Sequence, residues 1–330
     1  MILVKALTFR HFLANRNADS AYSLHFSGFH SIYTSVITIG SKSYTSGARY
    51  ANSDINVLNC YFFGCGNDID NGGALHIINS SLKIQNSGFD SCSSRIGGAL
   101  YVESSNSIIS ECNYSINRAY DHSGCFFFRS CVLQMSSCLT ISCESDSITG
   151  ALGSYNSSVK IWGSGFVSNL AIKGNSCALF AKCTGIIRNV VFHQNICIFY
   201  DPQSVLYIDN SSGPFSISEC IFGSNKMNKG AIFNPSIKIL GNDIVRLSFC
   251  LFDHNYSSII VEEQSFTSNL VISECKYNVI IPNPYDFQIQ QIHKSNSYDL
   301  RNSMSTFYLF IVLISSIILL SFVSISLFCF

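Results

Sequence analysis

An aromatic residue returns at intervals of 25 to 30 positions along most of this 330-residue chain. The series is Phe62, Phe89, Tyr114, Thr140, Phe166, Phe192, Phe222, Phe252 and Tyr277, and Thr140 is its one non-aromatic member. Five residues before each stands an apolar side chain: Val57, Ile84, Ile109, Met135, Ile161, Ile187, Ile217, Leu247 and Ile272. Two residues before each stands a small one, cysteine in six of the nine. Three residues after it comes Asn or Cys in eight of nine copies: Cys65, Cys92, Asn117, Cys143, Asn169, Asn195, Asn225 and Asn255. Agreement at so many offsets identifies a structural repeat, and its period limits the folds available.

The offsets also give the shape of one repeat. Apolar positions seven and five residues before the aromatic differ by two, so they face one side of a strand. The small position and the aromatic again differ by two. The step of three between those pairs breaks the alternation, so the chain bends there. Asn tolerates left-handed backbone and bonds its own main chain, which makes the following Asn position a second corner. A glycine motif then opens another strand, in full at Gly72-Gly73-Ala74-Leu75 and Gly97-Gly98-Ala99-Leu100. Later forms read Gly124-Cys125-Phe126, Gly150-Ala151-Leu152, Cys177-Ala178-Leu179, Ser204-Val205-Leu206, Gly230-Ala231-Ile232 and Ser258-Ile259-Ile260.

Three short strands and three bends per period describe an all-β, right-handed parallel β-helix of about nine coils of ~27 residues. Helical solenoids need ~33 residues or more per repeat and a 3.6-residue periodicity. Coils stacked at ~4.8 Å predict a rod of roughly 40 Å. The two longest periods leave room for excursions at Asp201-Pro202 and from Pro235 to Asn242. Residues 1–45 read as N-terminal strands or a cap, 46–281 as the β-helix, and 282–306 as a polar linker opened by Pro282-Asn283-Pro284.

Residues 307–330 contain no charge, and 24 residues at ~1.5 Å each span a bilayer core of ~30 Å. This segment reads as a single C-terminal transmembrane helix, which makes the membrane a partner and the plasma membrane the expected location. The polar stretch Ser295 to Ser303 before it also fits a GPI-attachment signal, so two kinds of anchor remain open. The N-terminal residues, MILVKALTFRHFL, lack the apolar core of ~7–15 residues of a secretory signal.

Charge narrows the function classes. Twenty basic and twenty acidic residues cancel, which speaks against a nucleic-acid binder or a polyanion-binding stripe. Fifteen cysteines are scattered without zinc-site spacing. Two readings fit them. Cys65/Cys92, Cys112/Cys138 and Cys250/Cys275 fall on adjacent coils within disulfide reach, and Cys is also a small residue suited to a crowded inner column. Five sequons, at Asn79, Asn113, Asn156, Asn210 and Asn255, are candidates for N-glycosylation and agree with an extracellular setting.

The alternation of Gly-Gly-Ala-(Leu/Ile) with Phe-x-x-Asn, the latter at Phe166/Asn169, Phe192/Asn195, Phe222/Asn225 and Phe252/Asn255, resembles the polymorphic outer-membrane protein (Pmp) family and Pmp-like surface proteins of parasitic protists. The resemblance covers Gly47 to Ile280. It implies a surface-exposed β-helix that adheres to a host-surface protein or glycan. Bacterial members end in a transmembrane β-barrel, whereas the tail here is continuously apolar, as in a single helix.

Many carbohydrate lyases and hydrolases share this architecture, so such an enzyme is the alternative. Its site needs carboxylates on neighbouring coils of one face. Glu111, Glu219 and Glu274 share one offset but are separated by four and two coils. Gly64-Cys65-Gly66-Asn67-Asp68 resembles a single calcium-binding repeat of a type that works in tandem, and alone it reads as a polar corner. His193, and His254 beside Asp253, read as exposed loop residues. No residue is assigned a catalytic, cofactor-binding or metal-binding role.

Overall fold

The computed structural model describes residues 35–173, 176–198, 204–226, 236–241, 244–254, 260–262 and 269–281. The predicted linker and the apolar tail at 307–330 lie outside them. Strands account for the regular structure in the described residues, and all paired strands run parallel. The described residues form a parallel β-solenoid of about seven complete turns, with further strands stacked at both ends.

One turn shows the plan. Leu75–Ile78 lies in sheet 1, Ser81–Gln85 in sheet 2, Gly88–Asp90 in sheet 3 and Ser93–Ile96 in sheet 4. Among the described residues the four sheets hold nine, ten, nine and five strands respectively. The short fourth sheet was not anticipated from the sequence, because its strands carry little periodic apolar signal. The corners between sheets are held by residues with positive φ, among them Asn79 at 49° and Asn86 at 54°. Asn and Ser occupy most of these corners, where a left-handed residue costs an Asn side chain little.

Register follows the predicted columns. Phe62 pairs with Phe89, Phe89 with Tyr114, Tyr114 with Thr140, Thr140 with Phe166, and the ladder continues through Phe192 and Phe222 to Phe252. Ring planes in this column tilt by only 6° to 9°, and centroids are 4.7 Å apart for Phe62–Phe89 and 5.4 Å for Phe252–Tyr277. Tyr44 extends the stack one step further. The ladder starts earlier than the sequence suggested, because Ser35–Gly40 and Ser43–Tyr44 already pair in register with the next turn.

The gap at Thr140 is filled from its own turn. Phe126 and Phe128 replace the aliphatic pair that sheet 1 usually points inward, and the Phe126 ring meets Tyr114 edge-on at 4.3 Å. Gly185 is compensated similarly by the Phe215 ring of the following turn, which would collide with any added Cβ. Volume is conserved turn by turn, as close packing requires.

Two parts of the sequence reading need correction. Ala178, not Leu179, pairs with Leu152 and Leu206, so the motif in that turn is Ser176-Cys177-Ala178. A shift by one residue would turn Phe180 outward, and Phe180 is fully buried. Likewise Ile237 pairs with Leu206, which removes Gly230-Ala231-Ile232 from the column and places it outside the described residues. Ile237–Leu240 is therefore a strand rather than part of an excursion. Its Ile-Lys-Ile alternation puts Ile237 and Ile239 in the core.

A ladder of asparagines lines the corner after the aromatic column. Asn195 Oδ1 accepts from the backbone N–H and the side-chain Nδ2 of Asn169, both at 3.0 Å. Asn195 Nδ2 donates to the Phe166 carbonyl at 2.9 Å and to Asn225 Oδ1 at 3.0 Å. Asn117, Asn169 and Asn195 are completely buried, so these bonds satisfy both backbone and amide. Asn255 lies outside the described residues.

Candidate interaction face

The interior of the solenoid is packed, so any site must lie on an outward column. Sheet 2 offers the widest regular face. Its central outward column runs Thr38, Asn56, Lys83, Ile108, Gln134, Lys160, Ile186, Ser216, Arg246 and Val271. Lys83, Lys160 and Arg246 are exposed and recur every third turn, or about 14 Å at ~4.8 Å per step. Exposed apolar residues lie among them: Ile108 at 48%, Trp162 at 42% and Ile186 at 47% accessibility. Within the described strands of sheet 2 the one acidic residue is Asp54.

Several of the acids elsewhere are neutralised locally. Around sheet 4, Arg118 bridges Asp146 at 2.9 Å and Glu144 at 3.9 Å. Glu219 pairs with Arg188 at 2.8 Å. Arg188 belongs to sheet 2 and is thus neutralised, whereas among the described residues no ion pair is formed by the sheet's outward Lys83, Lys160 and Arg246. These cations all stand six residues before the aromatic, an offset visible in the sequence once outward columns are counted.

Along one edge of this face runs a groove of ≈ 650 Å³, lined mostly by Ser and Asn, with Asp54, Cys131 and Val132, at the corner between sheets 1 and 2. Its floor is a serine ladder, in which Ser80 Oγ accepts from Ser53 N and Ser105 Oγ from Ser80 N at 3.3 and 3.0 Å. The hydroxyls also donate to their own turn, as Ser80 does to Ile78 O at 2.7 Å. They are spent on the backbone.

The carboxylates weighed for catalysis stay apart. Glu111, Glu219 and Glu274 all sit at positive-φ corners between sheets 2 and 3, on non-adjacent turns. At the Gly64–Asp70 corner, Asn67 Oδ1 accepts from Ile69 N and Asp70 N at 3.0 and 2.8 Å, and its Nδ2 donates to Asp70. The corner closes on itself. Among the described residues no group of three or more His, Cys, Asp or Glu side chains is placed to hold a metal.

His193 is not the exposed loop residue expected. It ends the strand Val191–His193, is 3% accessible, and shares the notch at Gly223 with Ile281. Burial holds its imidazole below the usual value of 6.5. His254 is exposed, 3.4 Å from Asp253.

The fourteen cysteines among the described residues are thiols. Cys65/Cys92, Cys112/Cys138 and Cys250/Cys275 occupy equivalent places on adjacent turns, and their sulfurs donate to backbone carbonyls, as Cys92 does to Asp90 O at 3.5 Å and Cys138 to Ser136 O at 3.2 Å. Burial pushes Cys131 up to about 11 and Cys197 to about 12, so these are protonated and poor nucleophiles. Asn79, Asn156 and Asn210 are exposed, whereas Asn113 is half-buried in a strand of sheet 3.

No protein-family model, curated protein or solved structure matches this chain. Among the described residues no helix is long and apolar enough to cross a membrane.

Proposed function

We propose that this chain is a membrane-anchored cell-surface protein whose solenoid adheres to an acidic glycan on a facing cell, with sheet 2 as the contact face. The observation that carries the reading is the pairing of exposed Lys83, Lys160 and Arg246 with Ile108, Trp162 and Ile186 on one regular face. Apolar side chains receive the faces of sugar rings, and cations spaced along one line receive carboxylates or sulfates. The face has a cationic excess, and its counterpart in this reading is anionic. The uncharged segment 307–330 supplies the anchor, and the Pmp-like motifs support surface display.

The test is binding of the full-length chain, in detergent, to arrayed sulfated, uronate-containing and neutral glycans. Binding confined to the acidic glycans, weakened by salt and lost in a Lys83→Glu/Lys160→Glu/Arg246→Glu variant, is expected. Equal binding to neutral glycans, binding unchanged in the variant, or binding only to a protein receptor contradicts the proposal. Surface biotinylation of cells expressing the tagged chain tests the location, and absence of label overturns it.

A further inference from the structure

The residues that turn the chain from sheet 1 into sheet 2 form a single ridge. Asn52, Asn79, Ser104, Ser130, Asn156, Lys182 and Asn210 occupy equivalent places, each donating its backbone N–H to the last residue of the next turn's sheet 1 strand, as Asn79 does to Glu103 O at 3.0 Å and Asn156 to Ala181 O at 2.9 Å. All have φ between 44° and 55°, and all are exposed. Three of these corner residues, Asn79, Asn156 and Asn210, each begin an Asn-x-Ser sequence.

From this we infer that the ridge is a line of N-linked glycans, carried at Asn79, Asn156 and Asn210, and that Asn113 in the folded protein carries none. The three side chains are exposed, and their ridge neighbours are Asn, Ser, Lys and Gly241, which leave room above the corner. Their amide nitrogens are held only by surface partners, Asn156 Nδ2 by Ser130 Oγ at 3.3 Å and Asn210 Nδ2 by Asp209 Oδ1 at 2.9 Å. Asn113 differs. It lies within the strand Asn113–Ser115, between Gly88 and Leu139, and its Oδ1 is buried. A sugar on its Nδ2 would lie over the middle of sheet 3 beside Leu139 rather than above an open corner.

The attachment reaction uses an oligosaccharide carried on a polyprenyl diphosphate. The amide nitrogen bonds to the anomeric carbon, the polyprenyl diphosphate leaves with the electron pair of the broken C–O bond, and the nitrogen loses one proton to the transferase. Asn79 and Asn156 also line the groove beside sheet 2. Glycans there fill that groove and border the contact face along one edge, which leaves the column of Lys83, Lys160 and Arg246 open. The inference rests on the surface reading, because the donor is found in the secretory lumen.

The experiment expresses the full chain behind a cleavable secretion leader in a eukaryotic cell, so that entry into the lumen does not depend on the native topology. Folded protein is treated with peptide-N-glycosidase in heavy-oxygen water, and the marked asparagines are mapped by mass spectrometry. Marks at Asn79, Asn156 and Asn210, each abolished by its Asn→Gln variant, with none at Asn113, are expected. An unmarked ridge, or a marked Asn113 in protein that remains folded, overturns the inference and leaves the surface reading standing. A marked ridge on the leader-borne chain, with no surface label on the native chain, overturns the surface reading and with it the glycans on the native chain, while an unmarked ridge overturns the inference alone.

Discussion

Asn195 joins three turns of the solenoid through one carboxamide, accepting from Asn169 and donating to Phe166 O and Asn225. Replacing it by Asp keeps the size, removes both donors and places a charge where there is no water. Asn195→Asp is expected to cost at least about 3 kcal/mol at pH 7 in urea unfolding, and less than half of that at pH 4, where the acid is neutral. A uniform loss at both pH values would show that the ladder is not what the charge disturbs. Burial also lowers the imidazole pKa of His76, with Arg49 adding to the effect, and that of His193. The unfolded chain then takes up more protons than the folded one, so this part of the stability is complete above 6.5 and falls as pH drops through 6.5. Unfolding midpoints measured from pH 7.5 to 5.5 should decline, and His193→Gln should flatten the decline.

At the scale of the strand, the aromatic column was legible because one side chain per turn must fill the same space nine times over. Its partner at Thr140 was not, since the compensating Phe126 belongs to a different sheet and stands fourteen residues earlier in the same turn. A reading of the column alone expects Thr140→Phe to complete the stack and stabilise it. The structure predicts the reverse, a loss of about 1–3 kcal/mol from overpacking against the Phe126 ring. Combined with Phe126→Leu the loss should largely disappear, and a double-mutant cycle measures that coupling. The two misplaced glycine motifs have a related origin. Ala178-Leu179 looks like Ala151-Leu152 as a word, but strand parity, set by Phe180, decides the register. Sheet 4 escaped notice because strands such as Leu170–Ala171 are only two residues long, and their pairing is backbone-driven. The candidate face was hidden for another reason: inner columns repeat strictly, whereas outward ones vary, and a cation at every third turn does not stand out in linear text.

Across the whole solenoid the inner columns hold the stack and the outward ones divide its surface by chemistry. Sheet 2 carries the line of Lys83, Lys160 and Arg246, the surroundings of sheet 4 the Arg118–Asp146–Glu144 cluster, and the corner between sheets 1 and 2 the exposed sequons Asn79, Asn156 and Asn210. This division depends on one property, that every turn keeps strict parallel register from Lys83 to Arg246. Six ladder steps join those two residues through Ile108, Gln134, Lys160, Ile186 and Ser216. A genetically encoded ketone residue at each of the two positions allows spin labelling without disturbing the thiols, and pulsed electron–electron resonance reads the separation. Six steps of ~4.8 Å predict one narrow population centred at about 29 Å. A broad distribution, or a centre displaced by more than about 10 Å, the equivalent of two lost steps, would contradict the register on which the account stands.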